Sequence, residues 1–202
     1  MLSSLFKKGI PGSGRAARLA FVALAVLAAL VVLPQPSARA QSGAYTMEEI
    51  VEAGSNFFGA TTGGLATLVE KIFSTYGLPN GYVLGQEGSG AIVGGLTYGE
   101  GTLYTKNAGD HGAYWQGPSL GWDFGAQGSR VMILVYNLDQ VNALYKRYMG
   151  VAGSAYIVAG LGFNVLKNGP VLIVPIRTGV GARLGVNVGY LKMTAQPTWN
   201  PF

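Results

Sequence analysis

The sequence has no cysteine, a single histidine and few charged residues, which make up 11% of its 202 positions. Without cysteine the chain forms no disulfide and offers no thiolate to a metal ion. His111 alone does not complete the usual zinc ligand set. We therefore expect no metal site and no cofactor, and we expect packing and backbone pairing to supply the stability of the fold.

The apolar run near the N-terminus is too short to cross a bilayer as a helix. Residues 19–33 form a run of 15 apolar residues, against roughly 20 for a spanning helix. Basic residues precede the run and the small-x-small pattern of residues 38–40 follows it, as in a secretion signal. We predict a signal peptide over residues 1–40 that is cleaved after Ala40, and a single exported domain over residues 41–202.

The excess of positive charge is confined to the predicted signal. The chain has 14 Lys and Arg against 9 Asp and Glu, but five of the basic residues lie within residues 1–40 and every acidic residue lies beyond them. The mature domain is therefore neutral. Nucleic-acid-binding domains normally carry a basic face, so we expect no nucleic-acid partner.

Glycine is abundant, with 32 residues, and it alternates with aromatic residues through residues 94–127. Tyr98 and Tyr104 fall on one parity, whereas Gly99 and Gly101 fall on the other. A period of two belongs to strands, and glycine removes the side chains from one face, which suits a tightly curved sheet. We predict a mainly β fold, a small soluble antiparallel β-barrel.

Three segments carry helix signals, the first of which is a capping box formed by Thr46 and Glu49. The predicted helices cover residues 46–54, 63–76 and 137–148. We expect two or three short helices packed at the ends of the barrel, the last of them covering an apolar strand at residues 131–136. The other predicted strands cover residues 81–86, 91–98, 101–106, 112–116, 120–126, 154–166, 171–178 and 183–194, with a hairpin loop at residues 107–110.

One motif raises the question of a hydrolase. Residues 117–121 fit G-x-S-x-G, which would make Ser119 a nucleophile, but a strand-like sequence follows where that motif needs a helix. The single histidine, His111, lies in a predicted hairpin loop. A coincidental turn explains the match, and a serine hydrolase that uses Ser119 is kept as an alternative.

Three acidic residues, Glu87, Glu100 and Asp123, lie in apolar, glycine-rich stretches. Two of them facing one cavity would form a glycosidase-like carboxylate pair. Otherwise they are rim residues or accept hydrogen bonds from backbone amides, because burying an unpartnered carboxylate is costly. We predict a non-enzymatic protein without catalytic residues.

The aromatic residues of the glycine-rich region have two interpretations. They line a pocket for an apolar or lipid-like ligand, or they fill the core of the barrel. The candidate ligand-binding residues are Tyr98, Glu100, Tyr104, Trp115, Trp122 and Phe124. Tyr114 and Tyr136 share the same two interpretations.

Three segments of the mature chain resemble a known family. They read GGLTYGEGTLYT, WQGPSLGWDFGAQGSRVMILVYN and GVAGSAYIVAGLGFNVL. In this order they resemble the alphaproteobacterial cell-envelope integrity protein A family over essentially the whole mature chain, and more distantly the SYLF lipid-binding domain. The resemblance implies a periplasmic β-barrel that supports envelope integrity. A lipid or another hydrophobic envelope component is the implied ligand, and an envelope protein is a further candidate partner.

An outer-membrane β-barrel is the second interpretation of the same features. The secretion signal, the many glycines and the final Phe202 favour it. Such barrels consist of strands of alternating apolar residues, whereas the last residues here read QPTWNPF, with two prolines and a polar Asn200. We keep this interpretation as an alternative to the periplasmic barrel.

Overall fold

The computed structural model describes residues 43–59, 62–90, 96–118, 129–178 and 189–200. Within these ranges the helices are α1 (Met47–Phe58) and α2 (Thr62–Tyr76), with a short 3-10 helix at Val141–Leu144. The strands are β1 (Gly81–Gly90), β2 (Leu96–Thr105), β3 (Gly109–Pro118), β4 (Ser129–Tyr136), β5 (Arg147–Gly150), β6 (Tyr156–Val158), β7 (Leu161–Phe163), β8 (Leu166–Asn168), β9 (Val171–Thr178) and β10 (Tyr190–Thr194).

The strands form one antiparallel sheet that closes on itself. Hydrogen-bonded neighbours follow the order β4, β1, β2, β3, β10, β5, β8, β9, and β9 pairs again with β4. The strand β7 pairs with the C-terminal residues 176–178 of β9, and β6 pairs with β7, so that these two strands extend the sheet. In the part of the chain that is described, eight strands therefore close the barrel, and the predicted mainly β, antiparallel barrel is confirmed.

Strand β4 is buried on both faces, as its continuous apolar sequence predicts. Val131, Ile133 and Val135 belong to a core cluster inside the barrel, whereas Met132 and Leu134 belong to a second cluster on the outside. The second cluster contains the apolar faces of α1 and α2. The two helices thus cover the outer face of β4 and remove it from water.

The predicted helix over residues 137–148 is wrong. Only Val141–Leu144 forms a 3-10 turn, and the chain then enters β5. Asn137 has a left-handed backbone with φ of 56°, which does not start an α-helix. Leu144 and Tyr148, whose spacing of four suggested a helical face, are both completely buried in the core inside the barrel.

The capping box of α1 is confirmed, but the helix is longer than predicted. Thr46 Oγ1 accepts from the Glu49 amide at 3.3 Å, and Glu49 Oε2 accepts from the Thr46 amide at 2.7 Å. The helix continues past Gly54, where a Cβ would lie 2.6 Å from Leu65 Cδ2. The glycine therefore permits close packing of α1 against α2 instead of ending the helix.

The strand predictions are correct in type and less accurate at their ends. The predicted break between residues 98 and 101 is wrong, because β2 runs through it without interruption. A hairpin joins β2 to β3 as predicted, but its turn comprises residues 106–108, and Gly109, Asp110 and His111, which were predicted in the loop, belong to β3. Residues 154–166 form β6, β7 and the start of β8 instead of one strand. The predicted strand at residues 120–126 lies outside the described residues, as do residues 91–95 and 183–188 of two other predicted strands.

Five tyrosines that are wholly or partly buried are expected to make the fold sensitive to alkaline pH. Burial raises the pKa of Tyr45 to about 12, and burial also raises the pKa of Tyr82, Tyr136, Tyr145 and Tyr148. A group whose pKa is raised in the folded state is fully stabilising below its unfolded pKa, which is about 10 for tyrosine. That contribution to stability is lost as the pH rises through the pKa that the tyrosine has in the folded protein.

We therefore expect the melting temperature to fall steeply once the pH exceeds the usual tyrosine pKa of about 10. Thermal unfolding followed by circular dichroism over a pH series measures this. A Tyr45→Phe variant should show a shallower decline, because one of the groups that ionises only on unfolding is gone. A melting temperature of the wild type that stays level through the same interval would contradict the prediction.

Candidate functional site

A groove lies on the outer face of β1, β2 and β3. Even-numbered side chains of these strands point outward, because the odd-numbered ones face the core inside the barrel. The register places Gln86 opposite Glu100, Glu100 opposite Tyr114, and Tyr98 opposite Gln116. Three strands thus present amide, carboxylate and phenol groups side by side.

The C-terminal residues 196–200, here called the tail, fold back over this face. The Tyr98 hydroxyl donates to the Trp199 carbonyl at 3.1 Å, and the two ring centroids lie 5.1 Å apart. Lys192 Nζ donates to the Asn200 carbonyl at 2.7 Å. Trp199 is nevertheless 85% exposed. Folding has therefore placed a large aromatic side chain in water beside a second aromatic ring.

Tail and sheet together line an open groove with a volume of about 390 Å³, which we call the tail groove. Small-molecule sites typically have volumes of roughly 300–1,000 Å³. The lining residues are Gln86, Glu87, Gly88, Tyr98, Gly99, Glu100, Tyr114, Gln116, Pro197, Thr198 and Trp199. The tail groove has the size of a site for a small ligand or for one part of a larger ligand.

A second depression continues the tail groove toward α1. Its volume is about 380 Å³, and it shares Gln86, Glu100 and Tyr114 with the tail groove. Phe57 lines it, and Arg130 Nη1 donates to the Phe57 carbonyl at 2.7 Å. The outer face therefore offers one surface from the tail to the C-terminal end of α1.

Gln116 brings a buried amide to the tail groove. The side chain is 2% exposed, and its Nε2 lies 3.4 Å from Thr194 Oγ1. Its Oε1 has no hydrogen-bond partner among the described residues. An unpaired buried acceptor costs about 1–3 kcal/mol, so a donor that reaches it is favoured.

Glu87, which follows Gln86 on β1, turns inward and forms a buried ion pair. Arg177 Nε donates to its Oε1 at 2.6 Å, and Arg177 Nη2 donates to its Oε2 at 3.3 Å. The indole Nε1 of Trp115 donates to Oε2 at 3.1 Å. Glu87 is 8% exposed and Arg177 is 3% exposed. Both carboxylate oxygens are thus engaged inside the barrel.

The glycines that were predicted to leave one face of the sheet without side chains make room for Trp115. A Cβ on Gly99 would overlap the indole ring, and a Cβ on Gly85 would lie 2.7 Å from its Cη2. Trp115 is completely buried. The alternation of glycine with larger residues therefore does leave one face of the sheet without side chains, as predicted. That face packs against Trp115 in the core.

The six candidate ligand residues separate into three groups. Tyr98 and Glu100 line the tail groove. Trp115 lies inside the barrel, and Tyr104 stacks on Tyr82 with ring centroids 5.1 Å apart. Trp122 and Phe124 lie outside the described residues, as do Ser119 and Asp123. Of the two other aromatic candidates, Tyr114 lines the tail groove and Tyr136 lies in the outer core cluster.

Sequence reasoning missed Gln86, Gln116 and Trp199. The alternation of β1 and β3 could have placed the two glutamines on one face with Tyr98 and Glu100. Nothing in the order of the tail residues indicated that they return to the sheet, since that depends on hydrogen bonds such as the one from Tyr98.

Two of the three acidic residues considered for a catalytic pair, Glu87 and Glu100, line the tail groove, but their surroundings differ, and Asp123 lies outside the described residues. Glu87 has both oxygens bound to Arg177 and Trp115, whereas Glu100 is exposed on the outer face. The Nε2 of His111 lies 2.9 Å from the Ala108 carbonyl, within the β2–β3 hairpin. Among the described residues, no group of three or more His, Cys, Asp or Glu gathers around a common point. None of the helices described is long and apolar enough to cross a membrane.

Comparison with known proteins identifies a family and a similar solved structure. The family model for envelope integrity protein A matches residues 43–202. A crystal structure of a β-barrel-like, uncharacterized protein from Brucella abortus is 72% identical and superposes with a TM-score of 0.76. That match covers 79% of this chain and 99% of the Brucella chain. No curated protein matches the sequence.

Proposed function

This chain belongs to the envelope integrity protein A family, and we propose that it supports the cell envelope from the periplasm by binding a partly apolar envelope component, such as a lipid, in the tail groove. The observation that carries the proposal is the exposed Trp199 ring, held beside Tyr98 at the edge of the cavity. Large exposed aromatic side chains next to a cavity are typical of binding surfaces.

The packing of side chains inside the barrel supports a ligand site on its outer face. Large side chains, among them Trp115, Tyr148 and Leu103, fill the interior with no exposed surface. Barrels of about eight strands are just wide enough for side chains to fill them. A ligand therefore finds its apolar contacts on the outer face, where Tyr98 and Trp199 are accessible.

Two features support a periplasmic location. Residues 1–40 carry the pattern of a secretion signal. The outer face of β1–β3 carries the exposed Gln86 and Glu100, where a membrane-spanning barrel carries an apolar band. Fractionation with periplasmic and outer-membrane markers tests the location, and N-terminal sequencing that starts at Gln41 tests the cleavage.

We also propose binding without catalysis. The carboxylate of Glu87 is committed to Arg177 and Trp115, so among the described residues that line the tail groove Glu100 carries the one accessible carboxylate. A glycosidase needs two accessible carboxylates across the scissile bond. Glu100 is better suited to accepting hydrogen bonds from a ligand.

Complementation tests the proposal. In a strain without the chromosomal copy, a Tyr98→Ala/Trp199→Ala variant should accumulate like the wild type but leave the cells sensitive to detergent. A Tyr156→Ala variant is the matched control, because Tyr156 is exposed on β6, on strands remote from β2 and β3 in the sheet order. Full resistance with the double variant, at equal protein level, would refute a role for the tail groove.

A further inference from the structure

Taking the proposed function as its premise, we infer that the part of the envelope component held in the tail groove is a neutral saccharide. Its ring faces stack on Trp199 and Tyr98, and its hydroxyl groups bind Gln86, Glu100 and Gln116. The source is either a free glycan or the sugar headgroup of a glycolipid, since both present the same chemistry.

The aromatic residues supply flat apolar surfaces of the required kind. The Trp199 and Tyr98 rings are inclined to each other by 57° and line the same cavity, so they offer two faces at an angle. A sugar ring has one face of C–H groups and a rim of hydroxyls. Tyr and Trp are suited to such a ligand because one part of each side chain is apolar and another part is polar.

The polar residues match hydroxyl groups. Gln86 and Glu100 are exposed and lie opposite each other across β1 and β2. An amide both donates and accepts, and an ionised carboxylate accepts from two sides. Gln116 lines the same groove, with its Oε1 buried and without a partner among the described residues, so its side chain would turn toward the groove for a hydroxyl to satisfy that atom. An acyl chain in this place would leave Gln86 and Glu100 without water or partner, which is costly.

The charges disfavour an anionic ligand. No lysine or arginine is among the described residues that line the tail groove. The two cations near its ends, Lys192 and Arg130, donate to the backbone carbonyls of Asn200 and Phe57. The charge of Glu87 is balanced by Arg177, so among the described residues that line the tail groove Glu100 carries the one charge without an ion-pair partner. A phosphate headgroup would meet that carboxylate without a counter-ion.

Saturation-transfer NMR with the mature protein tests the inference, with chitotetraose, maltotetraose and mannotetraose as probes. We expect saturation transfer to at least one of them. Trp199→Ala and Glu100→Gln should each weaken its binding by about tenfold or more, because they remove a stacking face and a charged acceptor. Tyr156→Ala should bind like the wild type. Circular dichroism verifies that the variants are folded, as expected for exposed positions.

An alkyl maltoside below its micelle concentration separates the two sources. Tighter binding than that of maltotetraose, lost in Trp199→Ala, indicates a glycolipid, whereas equal binding indicates a free glycan. Absence of binding for every sugar probe overturns the inference. If phosphatidylglycerol vesicles then change the tryptophan fluorescence of the wild type but not that of Trp199→Ala, the proposed function stands and only the saccharide is wrong. If the two proteins respond alike, the tail groove binds neither a saccharide nor a lipid.

Discussion

Replacing Glu87 with alanine is expected to lower the free energy of unfolding by about 3–5 kcal/mol, because it leaves a buried guanidinium without its counter-ion. Arg177 is 3% exposed, and its Nε lies 2.6 Å from Glu87 Oε1. The same change removes the acceptor of the Trp115 indole. Chemical denaturation of the wild type and the variant, followed by circular dichroism, measures the loss.

An exposed ion pair of the same chain is the matched control. Lys106 Nζ lies 2.8 Å from Glu49 Oε1, and the two side chains are 35% and 43% exposed. Exposed pairs contribute about 0–1 kcal/mol, so Lys106→Ala should be nearly neutral. The double change Glu87→Gln/Arg177→Met should recover part of the loss, because it removes both buried charges. Equal destabilisation by Glu87→Ala and Lys106→Ala would show that the buried pair is not needed.

Replacing Trp115 with alanine is expected to cost about 3–5 kcal/mol, as for other large aromatic side chains in a core. Trp115 is completely buried, and it connects the interior cluster to Glu87 through its indole nitrogen. Gly99→Ala is expected to cost about 1–3 kcal/mol by overpacking, because its Cβ would overlap the indole ring. Equilibrium denaturation of each variant gives both values.

The two changes should not be additive. In the Trp115→Ala background the indole is absent, so a Cβ at Gly99 enters space that the first change has emptied. The double variant should therefore be no less stable than Trp115→Ala alone. Additive losses would mean that Gly99 is required for its backbone conformation and not for its contact with Trp115.

The sequence was sufficient to predict the barrel because its glycines alternate with larger residues. Gly99 and Gly101 share one parity with Leu103, and the structure places that parity inside the barrel. The capping box at Thr46 and the apolar strand of residues 131–136 could also be predicted from the sequence, since each depends on neighbouring residues only.

What the sequence could not predict depends on partners far along the chain. Arg177 meets Glu87 across 90 positions, which no local pattern records. Leu144 and Tyr148 have helical spacing, but burial inside a closed barrel outweighs local propensity. Trp199 reaches Tyr98 only because the tail returns to the sheet. Of the residues that line the tail groove, Tyr98 and Glu100 were among the six candidates predicted from the sequence, whereas Gln86, Gln116 and Trp199 were not.

The side chains buried inside the barrel also bear on where a ligand binds. An aromatic-rich barrel suggested a pocket among its strands, yet Trp115 is part of the core and Tyr98 is part of the outer face. The alternation of side-chain direction along β2 and β3 explains this, because successive side chains of a strand point to opposite faces of the sheet. One sequence pattern thus builds the core and the tail groove together.

Native mass spectrometry of the protein purified from periplasmic extract without detergent tests the central claim most directly. We expect the wild type to carry a bound molecule of defined mass and the Trp199→Ala variant to lack it, while Tyr156→Ala retains it. A wild type that shows only its own mass, or a bound molecule that Trp199→Ala holds equally well, would contradict binding in the tail groove.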